Sequence, residues 1–71
     1  KSPNNIKKIL DLADKYFAEN QLDESFELLL DKYTSNKEKV KSKMLEFFEI
    51  LGNENHKTHE YRKKLSRILF S

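Results

Sequence analysis

Seventy-one residues with one glycine, one proline and no cysteine allow a single domain near the lower size limit for one hydrophobic core, and exclude a disulfide framework or a zinc ribbon. Charged and hydrophobic residues each make up 37%, which suits a helical domain with a charged surface. No apolar run approaches the ~20 residues that span a bilayer, and no signal-peptide pattern opens the chain. The net charge of +2 is unevenly spread: residues 21–35 carry −3 and residues 56–71 carry +4. Blocks of opposite sign in so small a domain neutralise each other in the fold or face different partners.

Ser2-Pro3 reads as an N-cap followed by proline at the first helical position. Ile6, Ile9, Leu10, Ala13, Tyr16 and Phe17 then share one helical arc of roughly 120°. Lys7, Asp11 and Lys15 stand on the outer side, where they can pair weakly. Asn20 suits the left-handed residue that closes a helix. These cues predict a first helix over about 3–19. Leu22, Phe26, Leu29, Leu30 and Tyr33 form the apolar face of a second, over about 22–34. Leu28 points away from that face. Asp23 and Glu24 lie in its first turn, where the helix dipole favours negative charge. So short a break between the two makes them an antiparallel hairpin.

Thr34-Ser35-Asn36 offers N-caps for a third helix over about 37–51, closed by Gly52. Val40, Met44, Phe47, Phe48 and Leu51 fall within one arc, and Leu45 and Ile50 extend it on both sides. Only a narrow strip of Ser42, Glu46 and Glu49 stays polar. A helix apolar over most of its circumference is packed on several sides, so the others are expected to wrap this one. Lys37, Lys39, Lys41 and Lys43 crowd its first half against the dipole, with the acidic second helix as the expected compensation. After the polar turn Asn53-Glu54-Asn55-His56, a fourth helix runs over about 57–70 with Tyr61, Leu65, Ile68 and Leu69 on its apolar face and Phe70 opposite. The expected architecture is all-α: two consecutive αα-hairpins, 3–34 and 37–70, in a single domain, 1–71.

No constellation carries catalysis. His56, His59 and Glu60 fall short of the three or four convergent ligands of a zinc site and read as solvated turn and cap residues. Asp23, Glu24, Glu27 and Asp31 occupy an outer face, not the buried or crowded setting that shifts a carboxylate for acid–base work. The serines lack a histidine partner, and one glycine cannot build a phosphate loop. An enzyme is not expected, nor a metal, nor any other cofactor. Lys57, Arg62, Lys63, Lys64 and Arg67 make the best case for nucleic acid. Against it, Tyr61 lies on the core arc and nothing marks the helix as a groove reader. The basic face is expected to meet the acidic second helix or an acidic protein surface. A membrane is not expected either, because the core needs the helix's apolar face. Of the apolar residues that miss the core arcs, Leu12, Leu28 and Phe70 are candidates for an exposed interaction patch.

Leu12-Ala13 followed by Tyr16 resembles the L-G-x-x-Y part of the tetratricopeptide signature, a 34-residue helix-turn-helix repeat. Ser25 stands where that repeat has its second small residue, and Leu29 where it usually has an aromatic. No Trp precedes the match and no Pro closes it. Taken alone, this half reads better as an unrelated hairpin with ordinary core spacing. The second half is more specific. Leu45-x-x-Phe48-Glu49-x-Leu51-Gly52, a polar turn, then Tyr61-Arg62-Lys63-Lys64-Leu65-x-x-x-Leu69-Phe70 resembles the C-terminal domain of the bacterial thioredoxin-fused tetratricopeptide co-chaperones, the chaperedoxins. Leu12-Ala13, Glu24 and Leu28-Leu29-Leu30 echo that family's preceding hairpin. The family usually carries an Asp-Pro pair where this chain has Glu54, Asn55 and His56, and its third helix is less lysine-rich.

The resemblance implies a cytoplasmic bacterial protein that binds client polypeptides and works with chaperone machines. On that reading the chain, which opens at Lys1 without Met, is the part behind a thioredoxin-like domain. That domain is then a partner in its own right, with a weak homodimer as a further association. The expected function is protein binding through an apolar patch with basic flanks: Leu12, Leu28, Arg62, Lys63, Arg67 and Phe70. The alternative is a small basic helical domain that binds nucleic acid.

Overall fold

A computed structural model describes residues 6–69. It contains α1 (Ile6–Ala18), α2 (Leu22–Asp31), α3 (Lys37–Leu51) and α4 (His56–Leu69), and no strand among the described residues. The expected cap Ser2-Pro3, the start of the first helix and Phe70 lie outside the described residues.

Local chemistry sets each helix end. Asn20 adopts φ 65°, and the Gln21 and Asn20 amides bond back to the carbonyls of Tyr16 at 2.8 Å and Phe17 at 3.0 Å. That pair of bonds is the Schellman motif, and it turns the chain straight into α2. The second helix ends at Asp31, short of the expected 34. The Lys32 and Tyr33 amides there reach back only three residues, to Leu29 and Leu30, both at 3.1 Å. This tighter winding still delivers Tyr33 to the core, 4% exposed. Asn36 precedes α3 without a side-chain cap bond, and Gly52 ends that helix at φ 93°. Asn55 starts α4 at His56, one residue earlier than expected. Its Oδ1 accepts the Lys57 amide at 2.8 Å, as an N-cap side chain does.

The two hairpins interlock through aromatic rings. Phe26 of α2, fully buried, stacks on Tyr61 of α4 at 4.7 Å and on Phe48 of α3 at 5.5 Å, and meets Phe47 edge-on at 5.9 Å. Phe17 of α1 lies flat on Phe47, 4.0 Å between centroids. Ala13, Leu29, Val40, Met44 and Leu65 complete the core. Within the first hairpin, α1 and α2 touch where Ala13 faces Ser25, both fully buried. The Ser25 hydroxyl donates to the Ala13 carbonyl at 2.8 Å.

Three expectations are corrected. The third helix is covered on one side, not wrapped: Leu45 is 44% and Ile50 62% exposed, because α2 and α4 both pack against the Val40–Met44–Phe47–Phe48 arc. Its lysines are not offset by α2. Lys43 instead bridges Asp14 of α1 at 3.2 Å and Glu46 at 3.3 Å, while Asp23 and Glu27 of α2 are taken by α4. Leu69, expected on the apolar face of α4, is 43% exposed and lines an open surface concavity with Tyr33, Thr34 and Lys37.

Candidate functional site

The basic residues of α4 divide into three groups according to the side of the helix they leave from. Lys57 and Lys64 reach inward to α2. Lys57 Nζ lies 2.8 Å from Asp23 Oδ1 and 3.6 Å from Glu60, and Lys64 Nζ lies 3.1 Å from Glu27 Oε2. Between them Tyr61, 1% exposed, donates its hydroxyl hydrogen to Asp23 Oδ1 at 2.7 Å, with Glu27 Oε2 at 3.1 Å. Lys64 also sits over the Tyr61 ring at 4.8 Å. Burial first, and the two carboxylates next, push the Tyr61 phenol well above its ordinary 10.0. Hydrogen bonds from Lys57 and then Tyr61 hold Asp23 below its ordinary 3.8, and the bond to Asp23 raises Lys57. This cluster is a clasp joining the two hairpins: every charge in it has an opposite neighbour, and the phenol is locked neutral.

The outward set is different in kind. His56, His59, Lys63 and Arg67 recur every three to four residues along α4 and are all exposed. With Glu60 and Lys64 at its edge they line an open surface concavity. Among the described residues, no ion pair satisfies Lys63 or Arg67. Arg62 is a third case, bonded to Asn53 Oδ1 at 3.4 Å and lying over the Phe48 ring at 5.3 Å. It packs on the edge of the core and keeps its charge outside.

The structure therefore distributes the candidate residues over two surfaces. Lys63 and Arg67 share the outer strip of α4, with Arg62 beside them over α3. Leu12, 40% exposed, lies on the outward face of the first hairpin, and half-buried Leu28 beside that face packs against the core. That face is separated from α4 because α2 turns its Asp23–Glu27 edge, not Leu28, toward α4. Phe70 lies outside the described residues. The first-helix stripe also splits. Ile6, Leu10, Ala13 and Phe17 pack into the core, whereas Ile9 and Tyr16 stay half-exposed beside Leu12. His56 and His59 join the α4 strip; their spacing with Lys63 and Arg67 was the available signal.

Among the described residues, no group of three or more His, Cys, Asp or Glu side chains is placed to hold a metal ion, and no helix is long and apolar enough to cross a membrane. A family model described as tetratricopeptide repeat matches residues 1–70. No curated protein and no solved structure matches the chain.

Proposed function

The chain belongs to the tetratricopeptide repeat family, and from that premise we propose that it is a protein-interaction domain with no catalytic role, meeting its partner through the outward strip of α4. Repeats of this family generally mediate protein–protein interaction. The observation that carries the reading is the division of α4. Once Lys57 and Lys64 are engaged with α2, His56, His59, Lys63 and Arg67 remain as an exposed basic strip. An acidic segment of a partner protein is its complement. Nucleic acid is the weaker reading, because Tyr61 is committed to the core and cannot stack on a base.

We also propose the finer assignment: the C-terminal part, as one domain, of a thioredoxin-fused co-chaperone, with client polypeptides or chaperones and the thioredoxin-like domain as partners. Its support is local. Phe48-Glu49-Ile50-Leu51-Gly52 supplies a buried ring and a left-handed stop. Tyr61 and Leu65 of the Tyr61-Arg62-Lys63-Lys64-Leu65 run are core residues. Asn55 caps α4 where the family usually carries Asp-Pro.

Pull-down with chaperones and unfolded clients tests both levels. Lys63→Glu with Arg67→Glu should abolish capture, and Leu28→Ser or Phe70→Ser should weaken it if the apolar candidates belong to the same contact. Capture indifferent to the α4 charges removes the strip from the site. Binding of duplex or single-stranded DNA that falls steeply with salt would favour the nucleic-acid reading.

A further inference from the structure

The concavity on the outer side of α4 is bounded by two rows of side chains at four-residue steps. His56, Glu60 and Lys64 make one row, and His59, Lys63 and Arg67 the other. Rows of this spacing are the ridges of an α-helix, and the space between two of them is the groove that receives a ridge of another helix. The two walls differ in charge. Glu60 lies 3.6 Å from Lys57 and 4.0 Å from Lys64, and Lys64 lies 3.1 Å from Glu27, so the first wall is compensated from within the fold. In the second wall Lys63 and Arg67 are exposed, and no ion pair among the described residues engages them. We infer, on the premise that the α4 strip is the contact surface proposed above, that the acidic partner segment is itself an α-helix. It carries carboxylates four residues apart facing Lys63 and Arg67, and uncharged residues facing Glu60.

When four-step ridges of two helices interdigitate, the ridges run side by side while the helix axes cross at about −50°. A four-step row on the incoming helix therefore advances in register with Lys63 and Arg67, about 6 Å per step on both helices. Carboxylates at i and i+4 then meet both cations at once, whereas carboxylates at i and i+2 leave their helix on different sides. The methylene stems of Lys63, Lys64 and Arg67 give the groove apolar surface, which a small side chain between the acids fills. Glu60 repels an acid placed on its own side, so it fixes which way the partner's charged edge faces. The contact involves few residues and exposed charges, so it is weak and salt-sensitive.

Fluorescence anisotropy at low salt with alanine-based peptides of about 20 residues tests it. One peptide carries glutamates four apart along one face. A second has the same composition with its glutamates spread around the helix, and a third is the first broken by a central proline. The first should bind about fivefold more tightly than either of the others, as two exposed ion pairs allow. Lys63→Glu/Arg67→Glu, with helix content unchanged by circular dichroism, should lose that preference and bind instead a peptide with lysines in the same register. Glu60→Gln should bring the second peptide closer to the first. Equal binding of the first peptide and either of the others overturns the helical partner and leaves the strip as a site for acidic chains of any shape. No binding of any acidic peptide overturns both. A preference that persists in Lys63→Glu/Arg67→Glu also overturns it, by placing the acidic helix elsewhere on the domain.

Discussion

Ser25 donates its hydroxyl hydrogen to the Ala13 carbonyl across the closest approach of α1 and α2, at 2.8 Å and with both residues fully buried. The contact explains why serine replaces the small apolar residue usual at that position of the repeat. It fits the same space, and its polar atom has an acceptor within reach. Ser25→Ala should therefore cost only about 1 kcal/mol, the net worth of one ordinary hydrogen bond. Ser25→Leu should cost about 3 kcal/mol by forcing the helices apart. Urea denaturation of the two variants measures the difference; equal costs would mean the approach is not tight.

Tyr61→Phe keeps the ring stacked on Phe26 and deletes only the hydroxyl bonded to Asp23 and Glu27. The expected loss is about 2 kcal/mol, as for a hydrogen bond to a charged group. The pH dependence is a second signature. Folded Tyr61 keeps its proton above the ordinary 10.0, whereas the unfolded chain releases it there. Its contribution is thus fully present below pH 10.0 and lost as pH rises beyond that value. Asp23 has the opposite sign: its folded pKa is depressed, so its contribution is present above 3.8 and lost as pH falls below it. Thermal midpoints followed into the alkaline range should decline less steeply in Tyr61→Phe than in the wild type.

Thr58 is fully buried in the first turn of α4, and its Oγ1 has no hydrogen-bond partner among the described residues. Thr58→Val keeps the shape and removes the unpaired hydroxyl, and should stabilise the domain by about 1 kcal/mol. Thr58→Ser keeps the hydroxyl, loses the methyl group, and should destabilise by about 1 kcal/mol. A lower melting temperature for Thr58→Val would show that the hydroxyl is satisfied after all.

Gly52 and Asn20 end their helices with positive φ, at 93° and 65°, and the two positions should respond oppositely to side-chain changes. A Cβ on Gly52 would meet nothing within 4 Å, so Gly52→Ala carries only backbone strain, about 2 kcal/mol. Asn20→Gly removes a side chain from the left-handed region and should be neutral or mildly stabilising. Calorimetry of both variants checks the contrast.

Periodicity placed the four helices and the residues each turns inward, because burial of an apolar stripe is what holds a short helix in place. Hence Ala13, Phe26, Leu29, Val40, Met44, Phe47, Phe48, Tyr61 and Leu65 stand on predicted arcs and form the core. What periodicity does not carry is which neighbour takes which side. Ile9 and Tyr16 share an arc with Ala13, yet point past α2 because the helices cross at a small-residue contact. The lysines of α3 and the acids of α2 suited each other by count, but Asp23 and Glu27 leave α2 on the side of α4. The inward half of the basic helix was legible as charge complementarity. The outward half emerged only after subtraction, once Lys57 and Lys64 were seen to be engaged.

Phe26 belongs to the first hairpin, but its ring contacts, Phe47, Phe48 and Tyr61, all come from the second. The repeat is duplicated in architecture without being modular in energy. Neither hairpin owns a core, so neither can serve as a folding template, be exchanged as a cassette or survive proteolytic separation from the other. Phe26→Ala, at about 4 kcal/mol, removes most of the stability of so small a domain. It should melt α1 along with α4, although no aromatic contact joins those two helices. A chain of this design loses its two halves together, in one transition.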